Sequence, residues 1–160
     1  MWTKGEYVFF RSRQVERISM NILLTSHGGL CTGMLDAFQM FASGATHVSA
    51  VSLTDTGIDD FRDRLTARVN ELLTQGDLLI LADLAGGTPF NESYALFLNN
   101  PEHIRLVAGA NFPMLLEAGV LAMSSDDLEA VTQAALTAGS AGVTAAETPA
   151  DSSDDEDDLF

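Results

Sequence analysis

The chain has 160 residues, 46% of them hydrophobic, and a formal net charge of -15. Length and apolar content fit one globular domain with an ordinary core. The acidity excludes a nucleic-acid binder, since such a surface repels phosphate and favours basic protein partners.

Residues 1–19 mix aromatic and charged side chains without helical or alternating period, with Lys4, Arg11, Arg13 and Arg17 against Glu6 and Glu16. They read as a non-native or disordered extension, and Met20 is the expected natural start. From there the pattern alternates strand and helix. Residues 21–26 predict β1. After the Gly28-Gly29 turn, Leu30, Cys31, Met34, Leu35, Phe38 and Phe41 follow helical spacing, so 30–43 reads as α1, stopped by Ser43-Gly44. Val48, Ala50, Val51 and Leu53 predict β2. Thr56 and Asp59 resemble a capping pair that opens α2, in which Ile58, Phe61, Leu65, Val69 and Leu72 recur at spacings of three and four.

After a turn at Gly76-Asp77, residues 78–82 are apolar at every position, the mark of a parallel strand covered on both faces, here β3. Thr88 is expected to cap α3, with Pro89 at its first position and Phe90, Tyr94 and Phe97 as its inner stripe. Asn99-Asn100-Pro101 stops it. Ile104, Leu106 and Val107 predict β4, Asn111-Phe112-Pro113 opens a short α4, and Ser124 with Asp127 opens α5. Residues 141–145 are a candidate final strand. The domain is therefore expected over 20–146. Residues 147–160 carry seven acids and no base, have no large apolar side chain until Leu159, and read as a disordered tail.

The single cysteine, Cys31, excludes an internal disulfide and fits a reducing compartment. On the apolar face of α1 it reads as a buried, inert thiol. No apolar run approaches the ~20 residues that span a bilayer, and no secretion signal is read.

Four strands separated by helices predict an α/β fold with a doubly wound parallel sheet in the order 2-1-3-4. In that order β1 and β3 are neighbours where the winding reverses, the place where open α/β sheets bind ligands. His27 follows β1 and Asp83 follows β3, so both polar residues meet at this crevice. A carboxylate that holds one imidazole nitrogen fixes the tautomer and leaves the other to accept a phosphoryl group. Backbone N–H groups of Gly86, Gly87 and Thr88, with the Thr88 hydroxyl and the start of α3, are expected to receive the phosphoryl charge.

Each feature alone has an ordinary reading: a satisfied strand-end histidine, a strand-to-helix turn, a capping carboxylate. Converging on one crevice, they point to a functional site. His47 and His103 read as structural or surface residues. Arg62, Arg64 and Arg68 read as a solvated face of α2 paired with Asp59, Asp60 and Asp63. No metal cluster, dinucleotide fingerprint or Walker loop is present in the sequence, and no cofactor is expected.

Three segments carry a family resemblance. His27-Gly28-Gly29-Leu30-Cys31-Thr32-Gly33-Met34 resembles the phosphohistidine motif of enzyme IIA components in the mannose family of the bacterial phosphoenolpyruvate-dependent sugar phosphotransferase system. The segment from Asp83 to Asn91 is similar to that family's second motif, and the one from Gly109 to Glu117 to its third. The resemblance implies that His27 takes phosphate from HPr and passes it to a IIB protein, which serves membrane IIC and IID subunits. It implies a cytoplasmic protein, peripheral to the membrane through its partners. It also implies that Asp83 holds the histidine, that Thr88 stands near the phosphate, and that the protein is a homodimer. A C-terminal strand would be exchanged in that dimer, with 141–145 as the candidate. Ala85 stands where mannose-type proteins often have an aromatic residue, and Thr88 where they have serine, a version closer to the N-acetylgalactosamine or uronic-disaccharide branch. Two other readings share the fold: a regulatory phosphohistidine module of a dihydroxyacetone-kinase-type system, and a non-catalytic flavodoxin-like binding module.

Overall fold

The computed structural model describes residues 20–149. The extension expected over 1–19 and the acidic tail from 150 onward lie outside the described residues. Residues 147–149 carry no helix or strand.

β1 (Met20–His27), β2 (Val48–Leu53), β3 (Asp77–Ala82) and β4 (Ile104–Ala108) form one parallel sheet in the order β2-β1-β3-β4. This is the doubly wound arrangement the sequence pattern predicts. Side chains alternate across the pleat, so one strand feeds two cores. Ile22 and Leu24 of β1 join Leu79 and Leu81 of β3 under α1 (Leu30–Phe41), α4 (Phe112–Leu121) and α5 (Leu128–Ala141). Leu23 and Ile80 point the other way, under α2 (Ile58–Leu73) and α3 (Thr88–Asn99). The unbroken apolar run of β3 follows from this: Leu78 to Ala82 are each 0% exposed because helices cover both faces.

The helix starts differ from the sequence pattern in instructive ways. Thr56 and Asp59 do not cap α2. Gly57, at φ +101°, turns the chain and occupies the capping position, and the Thr56 hydroxyl donates to Asp60 Oδ2 at 2.7 Å instead. Thr88 does not cap α3 either. Gly87 has the extended backbone of a cap, and Thr88 is the first helical residue. Pro89 and Ser93 face inward, with Leu96 and Phe97 half-buried behind them. Tyr94, expected inside, is exposed and stacks on Phe90 with ring centroids 6.0 Å apart. Asn111 and Asp127 cap α4 and α5, accepting from Met114 N–H at 3.1 Å and Ala130 N–H at 3.0 Å.

Several boundaries move: β1 gains Met20 and His27, and β3 gains Asp77. α1 stops at Phe41, two residues early, and Gly44 at φ +79° turns the chain toward β2. The candidate strand over 141–145 does not form within the chain. α5 runs to Ala141 because its alanine-rich sequence continues the helix, and Gly142 caps it. Residues 143–149 then leave the domain exposed.

Candidate active site

β1 and β3 are hydrogen-bonded neighbours, with Thr25 opposite Ala82. At the carboxyl edge Ser26 and His27 finish β1 opposite Ser52 and Leu53 of β2, and Asp83 follows the last residue of β3. Asp83 N–H donates to Thr25 O at 3.1 Å, which fixes Asp83 beside the end of β1. One carboxylate oxygen, Asp83 Oδ2, then accepts from both the His27 main-chain N–H and the His27 ring Nδ1, each at 2.9 Å. An ionised carboxylate only accepts, so Nδ1 carries a proton, and in the neutral ring the lone pair is therefore on Nε2.

Burial by itself raises the Asp83 pKa, but donation from the His27 main chain and ring outweighs it and holds the carboxyl below its ordinary value. Asp83 is therefore a charged acceptor at neutral pH. Its side chain is 11% exposed, while that of His27 is 46% exposed, so the pair has a shielded anchor and an open imidazole.

Gly87 closes the other side of the ring. A Cβ built on Gly87 falls 2.8 Å from His27 Cε1 and 3.5 Å from Nε2, so only glycine lets the start of α3 approach the imidazole this closely. Gly86, at φ +76°, makes the turn that brings it there. Among the described residues the N–H groups of Gly86 and Thr88 have no hydrogen-bond partner, and the Thr88 hydroxyl does not cap the helix. Gly87 N–H is different: it donates to Leu84 O at 3.1 Å and is already used within the turn. The site thus joins an imidazole lone pair to open donors at a helix N-terminus, a setting that suits an anion.

The structure brings His27, Asp83 and Gly87 together, with Gly86 and Thr88 on either side of Gly87 in the chain. Sequence reading passed over two residues beside them. Ser26 Oγ accepts from Cys31 N–H at 2.8 Å and donates to Gly28 O at 3.2 Å, so it caps α1 from the strand end, where Gly29 has no side chain to do so. Asn91 Nδ2 donates to Gly86 O at 3.0 Å. The only signal for either is the residue type, which bonds readily to nearby main chain.

The remaining candidates lie elsewhere. His47 is buried, and its Nε2 donates to Gly119 O at 2.8 Å. His103 is at the opposite end of the sheet. Cys31 is buried, 3.2 Å from Ser52 Oγ. The arginine face of α2 is paired, but not wholly as expected. Arg62 binds Asp59 and forks onto Glu92 of α3, Arg64 binds Asp60, and Arg68 binds Glu71; Asp63 takes no part. Arg62 reaches Glu92 because α2 and α3 pack side by side on one face. Among the described residues no group of three or more His, Cys, Asp or Glu side chains could hold a metal ion.

The family described as EIIA-man, PTS system fructose IIA component, matches residues 21–136. The chain belongs to this family. It is 26% identical over 111 residues to the mannose-specific EIIAB component of Escherichia coli, covering 69% of this chain and 33% of that protein. It thus spans about a third of that relative's length. It is 29% identical over 102 residues to the sorbose-specific EIIA component of Lacticaseibacillus casei, covering 63% of this chain and 72% of that one. Among solved structures, the mannose/sorbose-specific IIA subunit from Enterococcus faecalis superposes with a TM-score of 0.73 at 28% identity, over 82% of this chain and 97% of that one. A PTS IIA protein associated with the fucose utilization operon of Streptococcus pneumoniae gives 0.64 at 30% identity, over 74% and 90%.

Proposed function

We propose that this IIA-family chain is a phosphocarrier that accepts a phosphoryl group from HPr on His27 Nε2 and hands it to a IIB protein for sugar uptake. The observation that carries this reading is the 2.9 Å bond from His27 Nδ1 to Asp83, which in the neutral ring sets Nε2 as the nitrogen with the lone pair, on a side chain that is 46% exposed. In the forward step the Nε2 lone pair forms a bond to phosphorus. The N–P bond of the donor phosphohistidine breaks, and its electrons return to the donor ring. The Nδ1 proton stays in place, and Asp83 stabilises the positive charge that grows on the His27 ring. The transition state is loose, with charge spread over the phosphoryl oxygens. Gly86 N–H, Thr88 N–H and the Thr88 hydroxyl receive that charge, while Gly87 contributes close approach. Transfer to IIB is the same step reversed with a new acceptor.

The surface supports a basic donor: residues 20–146 carry four basic and fourteen acidic side chains, and complementary charge speeds transient encounters. Among the described residues no helix is long and apolar enough to cross a membrane. In this reading the protein works in the cytoplasm and meets the membrane through IIB and the IIC and IID subunits. The free outer edge of β4 and the exposed residues 143–149 fit a homodimer in which that segment pairs with the partner subunit. Ala85 and Thr88 fit the N-acetylgalactosamine or uronic-disaccharide branch of the family rather than the mannose type.

The test is incubation with phosphoenolpyruvate, enzyme I and HPr, followed by intact mass measurement. One acid-labile phosphate per chain is expected. A chain that stays unmodified while HPr is phosphorylated overturns the reading.

A further inference from the structure

Both turns beside His27 contain a Gly–Gly peptide unit: Gly28–Gly29 before α1 and Gly86–Gly87 before α3. A peptide unit flips when the ψ before it and the φ after it rotate together. Glycine on both sides leaves no Cβ to oppose that rotation. Sterics therefore do not decide which way these two units face; hydrogen bonds must.

Each unit is held by one side chain. The Gly28 carbonyl accepts from Ser26 Oγ at 3.2 Å, and the Gly86 carbonyl accepts from Asn91 Nδ2 at 3.0 Å. The Gly86–Gly87 unit is held at its other end too, where Gly87 N–H donates to Leu84 O at 3.1 Å. Ser26 is tied in turn to the first turn of α1 through Cys31 N–H at 2.8 Å. Gly28 and Gly86 both have positive φ, at +56° and +76°, a conformation glycine enters and leaves at little cost.

We propose that Ser26 and Asn91 are positioning residues that lock these two peptide units, so that their carbonyl oxygens do not turn toward the phosphoryl group on His27. The inference rests on the phosphocarrier reading for its consequence, though the lock itself is a property of the fold. A released unit would present the negative end of a peptide dipole where a developing anion needs donors, and this loss would be felt in the transition state. Docking of the donor protein would be untouched.

The experiment measures phosphoryl acceptance from phospho-HPr by Asn91→Ala, Ser26→Ala and Ser26→Thr, alongside amide hydrogen exchange at Gly87. Asn91 is exposed, so its alanine variant keeps the core intact. Asn91→Ala is expected to lower kcat about tenfold with KM for phospho-HPr unchanged, and to speed exchange at Gly87 by a similar factor. Ser26→Ala is expected to lower kcat likewise, and Ser26→Thr, which keeps the hydroxyl, to restore it. A normal kcat in Asn91→Ala, or a change confined to KM, overturns the proposal. If the unaltered protein takes no phosphate at all, the phosphocarrier reading falls. The lock is then judged by exchange alone: faster exchange at Gly87 in Asn91→Ala upholds it, and unchanged protection overturns it.

Discussion

The two ends of the sheet carry almost the same pair of side chains. At the carboxyl end His27 Nδ1 meets Asp83 at 2.9 Å; at the amino end His103 Nδ1 meets Asp77 at 2.8 Å. Both imidazoles are open, with side chains 46% and 64% exposed. The surroundings are opposite. His27 faces the N-termini of α1 and α3, glycine turns and unused N–H groups. His103 lies in a cavity of about 520 Å³ bounded by the end of α2, Asn100 after α3, and Asp126. Those helix ends present carbonyl groups and the negative end of the helix dipole, and Asp126 adds charge of the same sign. A histidine–aspartate pair alone does not make an anion acceptor; the backbone around it does.

The sharpest way to break this comparison is to remove each imidazole in turn. His27→Ala is expected to reduce phosphate uptake from phospho-HPr to background, and His103→Ala to leave it within about twofold, since the ends of α2 and α3 beside His103 present carbonyl groups and not donors. Labelling of His103 in the presence of His27→Ala would dissolve the distinction. The carboxylates come next. Asp83→Ala should slow transfer on the order of 10²-fold through a misplaced and wrongly protonated ring, whereas Asp77→Ala should not slow it, as read by a radiolabel or mass time course.

A smaller effect tests the approach of α3. Gly87→Ala puts a methyl group 2.8 Å from His27 Cε1, so the ring or the helix start must shift. Overpacking of this kind costs about 1–3 kcal/mol, and a displaced reacting nitrogen loses roughly tenfold to 10²-fold in transfer rate. Thermal unfolding and transfer kinetics together read it; a variant with normal values for both would show that the contact is not tight.

The smallest effect is on acid stability. Asp83 binds its proton less readily folded than unfolded, despite burial, because His27 donates to it twice. The stability this adds is complete above the ordinary carboxyl value of 3.8 and is lost as pH falls through the depressed folded value. Glu92, held low by Arg62, behaves the same way from its ordinary value of 4.5. Asp83→Asn should therefore unfold less steeply below about pH 4 than the parent, in a series of denaturant titrations across that range.

Periodicity located the four strands and five helices, because an apolar stripe at period 3.6 or an unbroken apolar run has few ways to be buried in a chain of this size, while the order 2-1-3-4 came from the habit of doubly wound folds. It also located His27 and Asp83 at neighbouring strand ends, since the parallel order carries both to one rim. What it could not reach was the main-chain bonding inside the turns. Helix starts at Gly57 and Gly87 displaced the hydroxyl residues expected to cap them, and α3 packs with Tyr94 on its outer face. The use of Gly87 N–H by Leu84, the hold of Asn91 on Gly86 and the reach of Arg62 to Glu92 join residues whose side chains carry no periodic signal. Only packing of the helices against the sheet brings those groups within hydrogen-bond distance, and only then is it decided which donors remain free for an anion.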